Sequence, residues 1–344
     1  MARTTPPWMI KRELLTKAED TTNPKYGHAP AERPAADFIR YGTINLDKPA
    51  GPTSHEVAAW VKKIMKLSNI GHGGTLDPKV TGVLPITLED ATKVVQAFLY
   101  SGKEYVCVMK LHGDTDEAQI KHVLSEFEDE IFQRPPLRSS VKRQLRTRRI
   151  YYIDYLETDG RNGRNVLFIV GCEAGTYIRK LCFDVGEVLG VGAHMQELRR
   201  TRSGPFTERD ASKVTLHDVA YLFGEWERTK DSAILHKFIV PMEEALSLLP
   251  KVVVRDSAVD ALCHGANLTA PGVLQVESGI KKGSILAVYT LKGEAVALGK
   301  ALASTEEFVD LKHGAVVGLE RVLMERGTYP RVWKSGSEHE GEQA

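Results

Sequence analysis

Residues 71–85 read GHGGTLDPKVTGVLP, with Asp77 in the middle of the run. Gly71, Gly73 and Gly74 precede it and Pro78 follows at once. Glycine admits positive φ and close approach of the backbone. Proline fixes its own φ and removes a donor. The pattern therefore sets one carboxylate on a rigid loop rather than on the solvated face of a helix. Two roles suit such a carboxylate: the cap of a turn or following helix, or a catalytic acid held out by its loop. Local chemistry alone favours the cap. The glycines are no phosphate loop, because the GK[ST] ending is missing.

Upstream, YGTINLD (Tyr41–Asp47) reads as a strand. Thr53 and Glu56 have capping-box spacing, and Val57, Trp60, Val61 and Ile64 recur at helical spacing behind them. Downstream, Ala91, Val94, Val95, Phe98 and Leu99 form one face of a predicted helix, and KEYVCVMKL (Lys103–Leu111) reads as a strand. Ile120, Val123, Leu124 and Phe127 mark another helix, and HGDTDE before it supplies caps (Asp114, Thr115, Asp116) rather than metal ligands. Further strands are predicted over Tyr151–Tyr155 and Asn165–Cys172. A helix follows, with Ile178, Leu181, Cys182, Val185, Val188 and Leu189 towards the core. Strands and helices do not alternate strictly, which predicts an α+β fold with a mixed, largely antiparallel sheet.

The expected organisation is an arm over 1–40 packed on the C-terminal unit, a domain over 41–249, a small β-barrel over 250–333 and a disordered tail over 334–344. The arm is rich in Pro and charge, yet Trp8, Met9, Ile10, Tyr26 and Phe38 suit docking. The C-terminal unit is read from short glycine-punctuated strands (GVLQV, GSILAVYTL, EAVALGKAL, GAVVGLERVLM) behind a short helix. Four scattered cysteines (Cys107, Cys172, Cys182, Cys263) lack metal spacing and suit buried apolar sites in a reducing compartment. No apolar run approaches the roughly 20 residues that span a bilayer, and no apolar signal core opens the chain. A soluble, cytoplasmic protein is expected.

Net charge is +1, so any nucleic-acid surface must be a local patch. One exists: RPPLRSSVKRQLRTRR, residues 134–149, has no acidic residue and leads into Tyr151, Tyr152 and Tyr155. Cations beside aromatics suit a phosphate backbone with base stacking. Arg138, Lys142, Arg143, Arg146, Arg148 and Arg149 are the candidate contacts, with Arg199 and Arg200 of a second cluster, LRRTRSGPF (Leu198–Phe206). Arg179, opening the helix after Gly175, could pair with a buried carboxylate or simply face solvent.

Five ordered motifs then converge over about 160 residues: NLDKPAGPTSHEV, GHGGTLDPKVTGVLP, GKEYV, GTYIRKLCFDVG and LRRTRSGPF. Together they resemble the TruB-type pseudouridine synthases. The N-terminal arm, the basic segment and the C-terminal unit look like the archaeal dyskerin-like catalytic subunits of box H/ACA ribonucleoproteins. The resemblance implies a pseudouridine synthase fold with a C-terminal PUA RNA-binding domain, and no cofactor or metal. It makes Asp77 the nucleophile, Tyr105 the residue that stacks on the base and takes part in proton transfer, and Arg179 the partner of Asp77. Lys48, Pro49, His72, Gly74, Thr75, Leu76 and Leu198 would support the site. It further implies box H/ACA guide RNA, rRNA and tRNA as RNA partners, with small accessory proteins and no membrane. A stand-alone enzyme acting on the T-loop uridine of tRNA is the close alternative, and a catalytically silent RNA-binding scaffold the distant one.

Overall fold

A computed structural model describes residues 3–134, 144–159 and 163–331. The chain divides into two compact units, one of residues 3–10 and 35–248, the other of residues 11–34 and 249–331. In the first unit an 11-stranded sheet forms among the described residues. Its main path runs Lys213–Val214, Gly42–Lys48, Thr81–Leu88, Ala193–Ser203, Lys103–Leu111, Asn165–Cys172, Arg146–Thr158 and Asp129–Gln133. Lys213–Val214 with Gly42–Lys48, and Thr81–Leu88 with Ala193–Ser203, pair parallel; the other neighbours pair antiparallel. The α+β class and the largely antiparallel sheet are as expected.

Two apolar cores clothe this sheet. One packs Cys107, Met109 and Phe168 against Ile120 and Leu124 of the helix Glu117–Glu126 and against Leu181 and Val185 of the helix Ile178–Val188. The other packs Ile44, Leu46 and Leu84 against Val57 and Val61 of the helix Ser54–Ile64 and Val219 and Phe223 of the helix Leu216–Thr229. Thr53 and Glu56 form the reciprocal capping box the spacing predicts, and Asp116 caps its helix by accepting from the Gln119 N–H. All four cysteines are buried and free.

Three features differ from the sequence expectations. Directly behind the Asp77 loop comes a central strand, Thr81–Leu88, and only then a helical segment; that segment, Glu89–Leu99, is a 3-10 helix. Its tighter winding rotates Leu99 off the apolar face, leaving it 67% exposed. Trp60 and Val188 also reach solvent, because each lies at the edge of its helix's buried stripe.

The second unit is a seven-stranded sheet among the described residues. Its hydrogen-bonded order is Leu14–Thr16, Val273–Glu277, Lys251–Val254, Ile285–Thr290, Ala295–Ala301, Ala315–Val322 and Leu268–Thr269. Val252, Val259, Leu286, Val296 and Phe308 form its core. Residues 23–28 are held by two polar anchors. Lys292 Nζ donates to the Asn23 carbonyl at 2.9 Å and to that of Tyr26, and buried Glu294 accepts from the His28 N–H at 3.0 Å and the Tyr329 hydroxyl at 2.7 Å. Among the described residues no helix is long and apolar enough to cross a membrane.

Candidate active site

Between the strands Ile70–His72 and Thr81–Leu88 the chain turns sharply, and each turn residue is braced from below. The Gly73 N–H donates to the Pro85 carbonyl at 2.8 Å. Gly74 has φ +115°, a conformation open to glycine and strained for any side chain. Leu76 is bracketed by one hydroxyl: its N–H donates to Ser54 Oγ at 2.8 Å, and Ser54 Oγ donates to its carbonyl at 3.2 Å. The Val80 N–H closes the turn on the Asp77 carbonyl at 3.0 Å. Lys48 is wholly buried, and its ammonium donates to the carbonyls of Pro49 (2.9 Å), Pro78 (3.0 Å) and Val80 (2.9 Å). Pro78 accepts a further bond from the Gly51 N–H at 2.9 Å, so the loop carbonyls are held by Lys48 and by the Gly51 N–H.

Asp77 tops this turn and pairs with Arg179. The turn bond from the Val80 N–H goes to the backbone carbonyl of Asp77, whereas its carboxylate bonds Arg179 instead of capping the turn. Arg179 stands in the first turn of the helix Ile178–Val188, whose entry is clamped by buried Gln133. The Gln133 amide accepts from the Tyr177 N–H at 2.9 Å and donates to the Tyr177 carbonyl at 3.1 Å. The carboxylate that Arg179 pairs with is not buried. The side chains of Asp77, on the loop, and Arg179, in the first turn of its helix, are 51% and 57% exposed. Thr75 is exposed and Leu76 is buried in the core beneath.

Below the loop lies a cluster of buried polar groups. Tyr105 stands on the strand Lys103–Leu111, close enough to feel the Asp77 charge, and burial raises its phenol pKa. Arg200 is 1% exposed: its Nε donates to the Val83 carbonyl at 2.7 Å and its Nη2 to the Gly74 carbonyl at 3.1 Å. Lys103 is buried beside Arg200, and burial pushes its ammonium well below the usual lysine range. Lys48 is lowered by the same cause. His72 packs edge-on to His55 with ring centroids 4.9 Å apart, and burial lowers its pKa. Leu198 is half-buried, on the strand position paired with Cys107. No group of three or more His, Cys, Asp or Glu that could hold a metal occurs among the described residues.

The expected RNA contacts divide sharply. Arg138, Lys142 and Arg143 lie outside the described residues. Arg200 is no surface cation; its strand is central, and both neighbouring strands cover it. Arg199 is tied to Asp47 at 2.8 Å and Glu208 at 2.8 Å, and the hydrogen bond to Asp47 raises its pKa. Arg149 is paired with Glu130 at 2.7 Å and Asp129 at 3.3 Å. Arg146 and Arg148 carry no such ion pair among the described residues, and Arg148 lines a cleft of about 600 Å³ with exposed Leu99 and Tyr100. The tyrosines after the segment are not free stacking faces. Trp8 packs edge-on to Tyr151 and Tyr152 at 5.7 and 6.4 Å, Tyr152 bonds Glu104, and Lys121 covers the Tyr155 ring at 4.6 Å.

Comparison with known proteins gives a consistent answer along the chain. The family model described as TruB family pseudouridylate synthase (N terminal domain) matches residues 62–178, and that of the tRNA pseudouridylate synthase B C-terminal domain matches residues 179–247. A PUA domain model matches residues 250–323 and a DKCLD (NUC011) domain model residues 7–58. The chain is 60% identical to a "Probable tRNA pseudouridine synthase B" of Methanopyrus kandleri over 327 residues, 95% of each chain. It is 57% identical to the protein of the same name from Pyrococcus abyssi, covering 94% of this chain and 96% of that one. Among solved structures, a "Cbf5-Nop10-Gar1 Complex" aligns with TM-score 0.91 and 55% identity over 96% of this chain and 100% of that one. A "Structure of H/ACA RNP bound to a substrate RNA containing 2'-deoxyuridine" aligns with TM-score 0.89 and 52% identity, over 96% and 100%.

Proposed function

Because the chain belongs to the TruB family of pseudouridine synthases, we propose that Asp77 is the nucleophile with which it isomerises uridine in RNA. The observation that carries this reading is the Asp77–Arg179 pair, 102 residues apart in sequence and joined on a loop braced by Lys48 and Ser54. In the reaction the N1–C1′ bond breaks, the uracil turns, and a C5–C1′ bond forms; C5 loses a proton and N1 gains one. Bonds are exchanged without net oxidation or hydrolysis, so the chemistry asks for no redox cofactor. An ionised carboxylate supplies the covalent partner. Attack on the sugar, attack on the base and elimination from the sugar all begin at that one group. Its exposure lets a uridine extruded from its stack reach it, and the RNA itself then covers the site. Tyr105 is the residue that meets the base and takes part in moving the proton.

Delivery of the uridine is proposed to be guided. The solved relatives named above are complexes with Nop10 and Gar1 and an H/ACA particle with substrate RNA. Those partners suit a chain that shares more than half its residues with them. Box H/ACA guide RNA, rRNA substrates and small accessory proteins are accordingly assigned to this chain, in the cytoplasm. Arg146 and Arg148 remain as phosphate contacts. In the C-terminal unit a cleft of about 810 Å³ beside the helix Asp256–Cys263, lined by Arg255, His264 and Asn267, suits a structured RNA end. Stand-alone action on tRNA is the second reading, carried by the names of the relatives from Methanopyrus kandleri and Pyrococcus abyssi.

Pseudouridine mapping on guide plus rRNA target with accessory proteins, and on tRNA transcript alone, separates the two. Asp77→Asn is expected to abolish product on both substrates. Retained turnover in that variant removes Asp77 as the nucleophile, and turnover of rRNA fragments without a guide removes the guided reading.

A further inference from the structure

Arg200 has no part in the reading above and does not touch solvent, yet its side chain reaches from the strand beside the tyrosine to the loop above it. Its guanidinium bonds the Gly74 carbonyl at 3.1 Å and the Val83 carbonyl at 2.7 Å, and its charge acts on Tyr105 of the neighbouring strand. Three strands converge on this point. Arg200 is paired in register with Tyr105 on one side and with Gly82 on the other. The register slips between Glu104 and Tyr105, a bulge of the kind that re-aims a side chain. At Gly82, with φ +105°, a Cβ would come within 2.2 Å of the Arg200 carbonyl oxygen, so no other residue lets the strands close here.

Such a placement is costly. An unpaired buried cation is disfavoured by desolvation, and among the described residues Arg200 has no carboxylate within ion-pair distance. Its hydrogen bonds go to two carbonyls, and the phenol of Tyr105 stands on the strand position paired with it. A sheet interior built for stability alone would hold an apolar residue at this position. The phenol is the group that can answer the charge: the guanidinium opposes the rise that burial gives the Tyr105 pKa. Two carbonyl bonds fix the guanidinium plane, and a lysine in its place has no planar fork with which to hold several acceptors in one geometry.

We infer that Arg200 is a positioning residue for the isomerisation, holding the Tyr105 hydroxyl and the Gly74 turn in one fixed geometry so that proton transfer at the base and attack by Asp77 share a frame. The inference rests on the proposed roles of Asp77 and Tyr105. It replaces the expected contact of Arg200 with RNA phosphate.

The test is a cycle of single-turnover pseudouridine formation in the assembled enzyme, with RNA affinity measured beside it. Arg200→Gln and Arg200→Lys are each made alone and in the Tyr105→Phe background. Each is expected to slow turnover about 100-fold, the low end of what a positioned proton-transfer group contributes, with RNA affinity unchanged within threefold. In the Tyr105→Phe background the same change is expected to cost only about 10-fold, because the part of its effect that passes through the hydroxyl is already lost while the bond to the Gly74 carbonyl still counts. Losses that multiply in the double variants overturn the inference, as does a fall in RNA affinity at undiminished turnover. Arg200→Lys keeps the buried charge and serves where Arg200→Gln does not fold. Asp77→Asn is the control: activity there overturns the nucleophile reading itself, whereas an inactive Asp77→Asn beside fully active Arg200 variants sinks only the role of Arg200.

Discussion

Ser54→Ala removes one oxygen atom and should be felt both in stability and in turnover. The Ser54 hydroxyl is wholly buried and satisfies both backbone groups of Leu76, the residue immediately before Asp77. Alanine leaves a buried N–H without an acceptor, at about 1–3 kcal/mol, and a carbonyl without its weaker 3.2 Å donor, at roughly 0.5–1 kcal/mol. The hole left by one hydroxyl is too small for water to stand in. Alanine is the better helix former by about half a kcal/mol, which offsets part of the loss because Ser54 opens the helix Ser54–Ile64. The net expectation is destabilisation by about 2 kcal/mol. For a unit of this size that lowers Tm by roughly 4–8 °C. The freed Leu76 carries the Asp77 carboxylate with it, and a shift on the order of 1 Å at reacting groups costs about 100-fold in rate. Differential scanning fluorimetry gives the first quantity and single-turnover pseudouridine formation the second. A variant within 1 °C and twofold of the parent would falsify the idea that the hydroxyl braces the loop.

Gln133→Met should act in the same way on the other half of the ion pair. The buried amide holds both backbone groups of Tyr177, so its loss frees the entry of the Arg179 helix. Turnover is expected to fall while RNA affinity stays level, and equal losses in both would mark Gln133 as an RNA contact instead. Lys103→Met should stabilise the protein by about 1 kcal/mol or more at pH values below the folded pKa of Lys103, where a buried ammonium gives way to a hydrophobe of similar length. Burial lowers the folded pKa of Lys103, so between that value and the usual lysine range the unfolded chain binds one proton more. Stability therefore rises with pH across that window in the parent, and urea unfolding from pH 7 to 10 should show the rise flattened in Lys103→Met. Neutralising Arg146 and Arg148 together should flatten the slope of log K against log salt by about 1.5. Neutralising Arg149 or Arg199, already held by carboxylates, should leave it nearly unchanged; an equal flattening there would mean the ion pairs open on binding.

What the sequence showed of this site follows from the kind of signal each residue leaves. Asp77 is legible because glycine and proline around a lone acid are local punctuation. Arg179 needed ordered motifs spread along the chain, since an arginine opening a helix looks alike whether it pairs or faces water. Ser54 and Gln133 left no signal at all. Each is a neutral side chain that closes on both backbone groups of a residue distant in sequence, 22 and 44 positions away. The strand Thr81–Leu88 was hidden for another reason. Its apolar run has no alternation because it is central and buried nearly throughout, and Pro85 argues against a strand although its partner Asn45 accommodates it. Arg200 is the sharpest failure. Two adjacent arginines read as a basic patch, but successive strand residues point to opposite faces, so Arg199 meets carboxylates at the surface while Arg200 turns inward.

The three inward cations settle how a half-exposed carboxylate can be held in one place. Lys48, Lys103 and Arg200 are buried around the loop with carbonyls as their main acceptors, and none is paired with a carboxylate among the described residues. Lys48 draws the carbonyls of 49, 78 and 80 inward, and Arg200 draws that of Gly74. A turn whose carbonyls are fixed below must present its remaining polar group above, which is the Asp77 carboxylate. Rigidity therefore comes from beneath the loop, and exposure above it is what an incoming uridine requires. A deeper pocket would have shielded Asp77 in the free protein at the expense of access by a structured RNA.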